Sequence, residues 1–460
     1  MTLIKSISGI RGTIGGKVGE NLTPIDAVKF GSAYGMWLKK NSKKNKLKVV
    51  IGRDARISGK MIQSFVQNSL ISLGIDVFDL GLSTTPTVEL MVTQLNADGG
   101  IIVTASHNPS EWNALKLLDN NGEFLNASDG NEIVSISEND NYNFSDVYSL
   151  GVINKVHDTM QTHIDSVLNL KLVNTDGIKE SKLKVVVDGV NSTGGIIVPL
   201  LLKQLNIEFE AIHCEPTGHF AHNPEPLKKN LLDLSNKVVE LDADLGIAVD
   251  PDVDRLVFIC ENGEIFGEEN TLVACSDYVL SKTPGTTVSN LSSTRALRDI
   301  TEIHGQSYFA SAVGEVNVVS KMKECNAVIG GEGNGGVIYP ESHYGRDSIV
   351  GIGLFLSLLI EKNMKVSELL STYPKYYMVK EKINLSKKID VDNILKSLAS
   401  KYSNENINEI DGLKIDFKES WVHLRKSNTE PIIRIYSEAM TEDVANNLVH
   451  QIKNDIKELS

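Results

Sequence analysis

Cysteine is scarce and unpatterned. The four present, Cys214, Cys260, Cys275 and Cys325, lie far apart with no C-x-x-C spacing, which excludes a zinc ribbon and a disulfide framework and fits a reducing compartment. No apolar stretch approaches the length that spans a bilayer; the longest runs only from Ile352 to Ile360. The opening residues, Met1-Thr2-Leu3-Ile4-Lys5-Ser6, contain no apolar h-region, so a cytoplasmic location is expected. An excess of basic charge is also missing. With 46 Lys and Arg against 59 Asp and Glu, the net charge is -13, and such a field repels polyanions. Neither nucleic acid nor an anionic membrane is therefore an expected partner, and any phosphate must be bound locally. The one basic run, Lys39 to Lys48, has no interleaved aromatics and reads as a solvated loop between a helix and a strand.

What is present is the composition of a soluble globular protein, 41% hydrophobic and 23% charged. At 460 residues the chain exceeds what one core supports, so three or four domains are expected. A repeat supports this. The run Lys46 to Gly52 is echoed by Lys182 to Asp188, and Leu73 to Phe78 by Leu205 to Glu210, each pair reading as first and second strands. The third pair, Ala97 to Val103 and Ala243 to Val249, leads into polar segments: Thr104-Ala105-Ser106-His107-Asn108-Pro109 in one case and Asp250-Pro251-Asp252-Val253-Asp254-Arg255 in the other. A fainter third unit runs from Thr287 to Ile329 and into Gly330 to Gly336. Strands alternating with helical patterns imply α/β units whose ligands gather at the carboxyl ends of the strands. Beyond Tyr373-Pro374 the texture becomes more charged. A helical pattern near Val391 to Tyr402 and strand-like runs at Trp421 to Leu424 and Ile432 to Tyr436 read as a smaller α+β domain.

Each unit carries one polar loop. Asp250, Asp252 and Asp254 place three carboxylates at alternate positions, the pattern by which a short loop gathers hard oxygen ligands around Mg²⁺ or Ca²⁺. An EF-hand does not fit, because Arg255 stands where its glycine is required and an apolar strand follows. Ser106, taken alone, is either a nucleophile or a turn residue, and no G-x-S-x-G elbow surrounds it. Its equivalence in the repeat to the aspartate loop favours a phosphoserine neutralised by a metal. Arg425, Ser427, Asn428, Thr429 and Arg434 are suited to a phosphate or to an ordinary polar hairpin. Glu332 and Asn334, among glycines, offer acceptors for sugar hydroxyls or form a plain turn.

In this order, the loops at Ser106, Asp250 to Arg255, Gly331 to Gly336 and Arg425 to Pro431, with Gly9-Ile10-Arg11-Gly12 and Gly52 to Arg56 before them, make a chain that resembles the α-D-phosphohexomutase family from end to end. The resemblance implies three related α/β domains around a central cleft plus a smaller C-terminal α+β domain, divided here at 1–152, 153–261, 262–373 and 374–460. It implies that phosphorylated Ser106 donates to a hexose monophosphate through a 1,6-bisphosphate, which also serves as activator. Mg²⁺ would sit on Asp250, Asp252, Asp254 and a phosphoserine oxygen. Arg255 would lie at the reaction centre, Lys116 would act as general acid or base, and Arg11 and His107 would support the phosphoserine. Glu332 and Asn334 would contact the sugar, and the Arg425 loop would clasp its phosphate. Glucosamine 6-phosphate is the favoured substrate and glucose or mannose phosphates the alternative, with the chain a monomer or homodimer. A non-catalytic sugar-phosphate sensor and a metal-dependent phosphatase are the readings from other classes. The chain departs from the pattern at Gly336, where relatives often carry His; nearby His343 is not expected to substitute.

Overall fold

The computed structural model describes residues 2–6, 9–139, 142–384, 390–426 and 432–459. Three of its sheets share one wiring. In the first, Lys48–Arg53 lies between Asp76–Leu82 and Gly99–Val103, all parallel, and Trp112–Leu118 returns antiparallel on Gly99–Val103. In the second, Lys184–Asp188, Glu208–Ile212 and Leu245–Val249 repeat this arrangement, with Leu256–Cys260 as the return. In the third, Thr287–Asn290, Tyr308–Ser311 and Ile329–Glu332 do so, with Gly336–Ile338 as the return. The central strands are buried on both faces, which is why they read as continuous apolar runs such as Val185-Val186-Val187 and Leu245 to Val249.

The wiring places each polar loop in the same position. Residues 104–111, 250–255 and 333–335 each join the third strand to its antiparallel return, at the carboxyl end of the parallel strands. The first sheet is extended by Gly9–Thr13 and Ile4–Ser6 beyond Trp112–Leu118, and by Ile153–Lys155 beside Asp76–Leu82. That last strand belongs with the first sheet although it lies past the division placed after residue 152.

The second and third sheets share one apolar core. The run Ile352 to Ile360 lies on the helix Ser348–Lys362, which is buried continuously from Ser348 to Leu359 and is apolar nearly all round for that reason. Phe355 stacks on Phe258 with ring centroids 3.7 Å apart, while Phe266 meets it edge-on. Asp347 caps this helix by accepting from the backbone N–H of Ile349 and Val350. The lysine run is not all loop: Lys39 and Lys40 occupy the last turn of the helix Pro24–Asn41, where cations face the negative end of the dipole, and Lys48 begins a strand.

The fourth sheet is fully antiparallel, in the order Tyr377–Asn384, Ile432–Ala439, Ser420–Lys426, Leu413–Asp416, Asn406–Asn408. With the helices Val391–Lys401 and Glu442–Leu459 it has its own core. Arg295 joins it to the third unit, donating to Asp416 and to the carbonyls of Phe417, Lys418 and Ser420. Among the described residues no helix is long and apolar enough to cross a membrane.

Glu269, in the first turn of the helix Glu268–Lys282, accepts from Thr294 N at 2.9 Å. Burial pushes its carboxyl up to about 8, with Lys380 opposing only in part. A folded-state value above the ordinary 4.5 means that its contribution is fully present below that pH and is lost as pH rises through about 8. Urea titrations across this interval should show the wild type losing stability relative to Glu269→Gln as pH rises. A constant difference would contradict the assignment.

Candidate active site

The Ser106 loop is built on Arg56. This buried guanidinium donates to the carbonyls of Ser106, Asn108, Pro109 and Trp112, and its Nε is held 3.0 Å from Asp54 Oδ2. Four carbonyls turned inward on one cation leave the loop's apex turned the other way. Thr104 Oγ1 donates to Asp54 Oδ2 and accepts from the backbone N–H of Ser106. Ser106 itself has φ +49°, a left-handed conformation unusual for serine, and Val253 in the aspartate loop has φ +64°, more costly still for a β-branched residue.

The two strained loops meet. Ser106 Oγ donates to Asp250 Oδ2 at 2.7 Å and lies 3.3 Å from His107 Nδ1. Asp250 Oδ1 folds its own loop by accepting from the N–H of Asp254 and Arg255. The Pro251 carbonyl accepts from Ser192 and Thr193, and Thr85 of the first unit donates to Asp252 through both its backbone and its hydroxyl. The three aspartates are fully buried, with one oxygen of each within 4.8 Å of the others.

Such a cluster needs opposite charge. Lys116 Nζ, from the return strand of the first sheet, lies 2.7 Å from Asp252 and 3.2 Å from Asp254. Arg346 Nη2, from the third unit, lies 2.6 Å from Asp254. Burial and then the charges of Asp254 and Asp252 push Asp250 well above the usual carboxylate range. Burial would raise Asp254 too, but Arg346 and Lys116 outweigh it and hold its carboxyl low. Burial opposes the charge on Lys116, and Asp252 and Asp254 overcome it, so that lysine is protonated as the side chains stand. Asp252 Oδ1 and Asp254 Oδ1 are buried without a hydrogen-bond partner. Unpartnered carboxylate oxygens beside a third carboxylate are the hard donors that Mg²⁺ takes, so the residues fit that ion.

Arg255 and Arg11 add further positive charge. Arg255 Nη1 is 3.4 Å from Glu225, and its Nε is buried without a partner. Arg11, on Gly9–Thr13, is held below its ordinary value by burial and then by the charge of Arg255. A bound dianion complements such a pair. Burial, then Arg255, keeps His107 well below its ordinary value and therefore neutral.

The glycine-rich loop is tied to the same cluster. Glu332 accepts from Asn290 Nδ2, Gly314 N and Arg346 Nη1, and Asn334 Oδ1 accepts from Gly336 N. Gly335, with φ +88°, passes so close to Leu256 that an added Cβ would lie 2.4 Å from its carbonyl oxygen. At Gly336 a Cβ would meet Arg346 Cδ at 2.3 Å. The departure at this position is thus reciprocal: the arginine stem fills the space that a side chain would need. His343 lies between two carboxylates, 3.2 Å from Asp347 and 3.4 Å from Glu89. On the C-terminal sheet Arg425 pairs with Asp411, and Arg434 lies opposite it in register on the next strand, exposed. Ser427, Asn428 and Thr429 lie outside the described residues.

Arg346, Arg56 and Thr85 were not among the residues singled out for chemistry. Arg346 was marked only by an arginine beside Asp347, the helix cap before a long apolar run, and Arg56 only by the pair it forms with Asp54 in Gly52 to Arg56. Thr85 carried no sequence signal.

Four segments match the domain families of phosphoglucomutase/phosphomannomutase: the α/β/α domains I, II and III at residues 3–143, 161–263 and 268–376, and the C-terminal domain at 363–455. A Thermococcus kodakarensis protein named phosphoglucomutase/phosphomannomutase is 37% identical, covering 94% of this chain and 95% of the relative. A Sulfurisphaera tokodaii phosphoglucosamine/phosphogalactosamine mutase is 34% identical, covering 98% of each. The crystal structure of a phosphoglucomutase/phosphomannomutase family protein from Burkholderia thailandensis shares the fold, with a TM-score of 0.85 and 24% identity over 100% of this chain and 98% of the other.

If Gly336 and Arg346 exclude each other's side chains, Gly336→His should destabilise the wild type by about 1–3 kcal/mol and should cost markedly less in an Arg346→Ala background. A double-mutant cycle in denaturant measures the coupling, and additive effects would contradict the contact.

Proposed function

This chain belongs to the phosphoglucomutase/phosphomannomutase family and is a phosphohexomutase, and we propose that it interconverts glucosamine 6-phosphate and glucosamine 1-phosphate by way of a phosphoryl group carried on Ser106. The observation that carries this reading is the 2.7 Å hydrogen bond from Ser106 Oγ to Asp250 Oδ2, which sets a hydroxyl of the first loop against the buried carboxylates of the second.

Asp250, Asp252 and Asp254 would hold Mg²⁺, which when bound neutralises charge on the phosphoryl oxygens. The free hydroxyl of a hexose monophosphate attacks the phosphorus on Ser106 Oγ, the new O–P bond forming as the bond to Oγ breaks, and the product is the 1,6-bisphosphate. Lys116 Nζ donates a proton to the departing Oγ and recovers one from the attacking hydroxyl. Arg11 and Arg255 bind the phosphoryl oxygens, and neutral His107 orients the serine. Glu332 and Asn334 accept from sugar hydroxyls. Arg425, Ser427, Asn428, Thr429 and Arg434 grip the phosphate that does not react. The bisphosphate then turns and returns its other phosphoryl group to Ser106, and the same bisphosphate primes dephosphorylated enzyme. In this reading the four units, the first carried on through the strand Ile153–Lys155 and the later divisions falling after residues 261 and 373, each contribute one loop.

The amino sugar is supported by the relative from Sulfurisphaera tokodaii, named for glucosamine and galactosamine phosphates, and by the carboxylate of Glu332 as a partner for a 2-ammonium group. The second reading, a phosphoglucomutase/phosphomannomutase of broad tolerance, is favoured by the name of the Thermococcus relative. Comparing kcat/KM for glucosamine, glucose and mannose 1-phosphates separates them. The first reading expects the amino sugar to lead by more than about tenfold, or 1.4 kcal/mol; equal values or a lead for the neutral sugars select the second.

Ser106→Ala should lower mutase turnover by more than about a thousandfold while leaving sugar-phosphate binding measurable by calorimetry. Asp252→Ala removes one of three oxygen ligands and should abolish turnover at any Mg²⁺ concentration that supports the wild type. Full activity in either variant would contradict the assigned role.

A further inference from the structure

At the end of the strand Lys184–Asp188 lies a second cluster of titratable side chains that the chemistry above does not use. Asp188, 1% exposed, turns Oδ2 toward two imidazoles, with His213 Nδ1 and His222 Nε2 each 3.0 Å away. Among the described residues this is the one potential metal-ligand group besides the aspartate triad, its three donor atoms lying within 4.8 Å of one another.

The hydrogen bonds around it do not balance for neutral rings. His222 Nδ1 lies 2.8 Å from the carbonyl oxygen of Asn223 and must donate to it. A neutral ring would then point the lone pair of Nε2 at a carboxylate oxygen, acceptor against acceptor. His213 Nδ1 donates to Asp188, and its Nε2 lies 3.8 Å from Asp233, beyond hydrogen-bond range. Either His222 carries a second proton beside the other ring, the two centroids being 5.6 Å apart, or one dication takes the lone pairs of both imidazoles. The second arrangement keeps both imidazoles neutral and directs each outer N–H toward a carbonyl or a carboxylate, the outer-shell pattern of metal-bound histidines. The backbone here is strained as well: Val190, Asn191 and His213 all have φ near +50°.

We propose that Asp188, His213 and His222 form a binding site for a divalent transition metal, with Zn²⁺ the best match to two imidazole nitrogens and one carboxylate oxygen. The rings are partly exposed, which leaves room for solvent to complete the coordination. The donor set differs from the all-oxygen triad, so the two sites sort metals, Mg²⁺ to the triad and Zn²⁺ to the histidines. Binding displaces the imidazole protons that face Asp188. It also fastens the segment 213–225, which sets Glu225 against Arg255 and Phe220 under Arg56, the ring centroid 5.0 Å from the guanidinium. The ion is thus a clamp on the two arginines that shape the reaction centre.

The test is equilibrium dialysis of the full chain against Zn²⁺ with Mg²⁺ in excess, followed by metal analysis. The wild type should retain stoichiometric Zn²⁺, and His213→Ala/His222→Ala, shown to be folded by circular dichroism, should bind it more than about a hundredfold more weakly. If the double variant does not fold, Zn²⁺ titration of the wild type followed by ¹⁵N imidazole NMR decides, because metal ligation shifts the ring nitrogens of these two histidines and simple protonation does not follow added metal. A wild type that dialyses free of Zn²⁺, imidazole signals that ignore the metal, or a double variant that binds as tightly as the wild type would overturn the proposal.

Discussion

Three carboxylates buried within five residues are the constraint around which the molecule is arranged. Like charges a few ångströms apart in a low-dielectric interior repel strongly, and removing each from water costs several kcal/mol more. No single unit supplies the remedy. Lys116 comes from the first sheet and Arg346 from the third unit, while Arg255 follows directly in the loop. The charge balance of one loop therefore draws the first three units together, and Thr85 on Asp252 adds a further tie. Asp250, pushed upward by burial and then by the charges of Asp254 and Asp252, is also the member that Ser106 touches.

The same constraint explains the rigid base of the Ser106 loop. A hydroxyl must be held beside the triad in a conformation that serine does not favour, so the loop beneath it is over-determined by Arg56, whose pairing with Asp54 is itself fully buried. Within these two loops the left-handed conformation falls on Ser106 and Val253, one residue in each. The glycine-rich loop is joined to this cluster through Arg346, which touches Asp254 and Glu332 at once, so that in the proposed function sugar and phosphoryl binding share one cation.

Much of this was legible in the chain. Three strand sets with matching order could be read because buried parallel strands are apolar on both faces and stop abruptly at polar loops, as at Val103-Thr104 and Val249-Asp250. The equivalence of the Ser106 and Asp250 loops followed from that order alone. What stayed hidden depends on contacts between distant segments. Arg346 is one arginine in a polar stretch until the fold brings it across Gly336, and Thr85 is a helix-start threonine until Asp252 arrives beside it. The shared core of the second and third units was hidden for the same reason, since Phe258 and Phe355 are far apart in sequence. The cluster at Asp188 went unread because its histidines lie in an irregular segment with no motif spacing.

The central claim is that Ser106 and the three aspartates are one site. Mg²⁺ affinity measured by calorimetry on Ser106-phosphorylated and fully dephosphorylated protein tests it most directly. A phosphoserine oxygen added to the ligand set, together with its negative charge, predicts tighter binding to the phosphorylated form by at least about tenfold, or 1.4 kcal/mol. Equal affinities would mean that the serine does not share the ion with the aspartates, and the account built on their contact would fail.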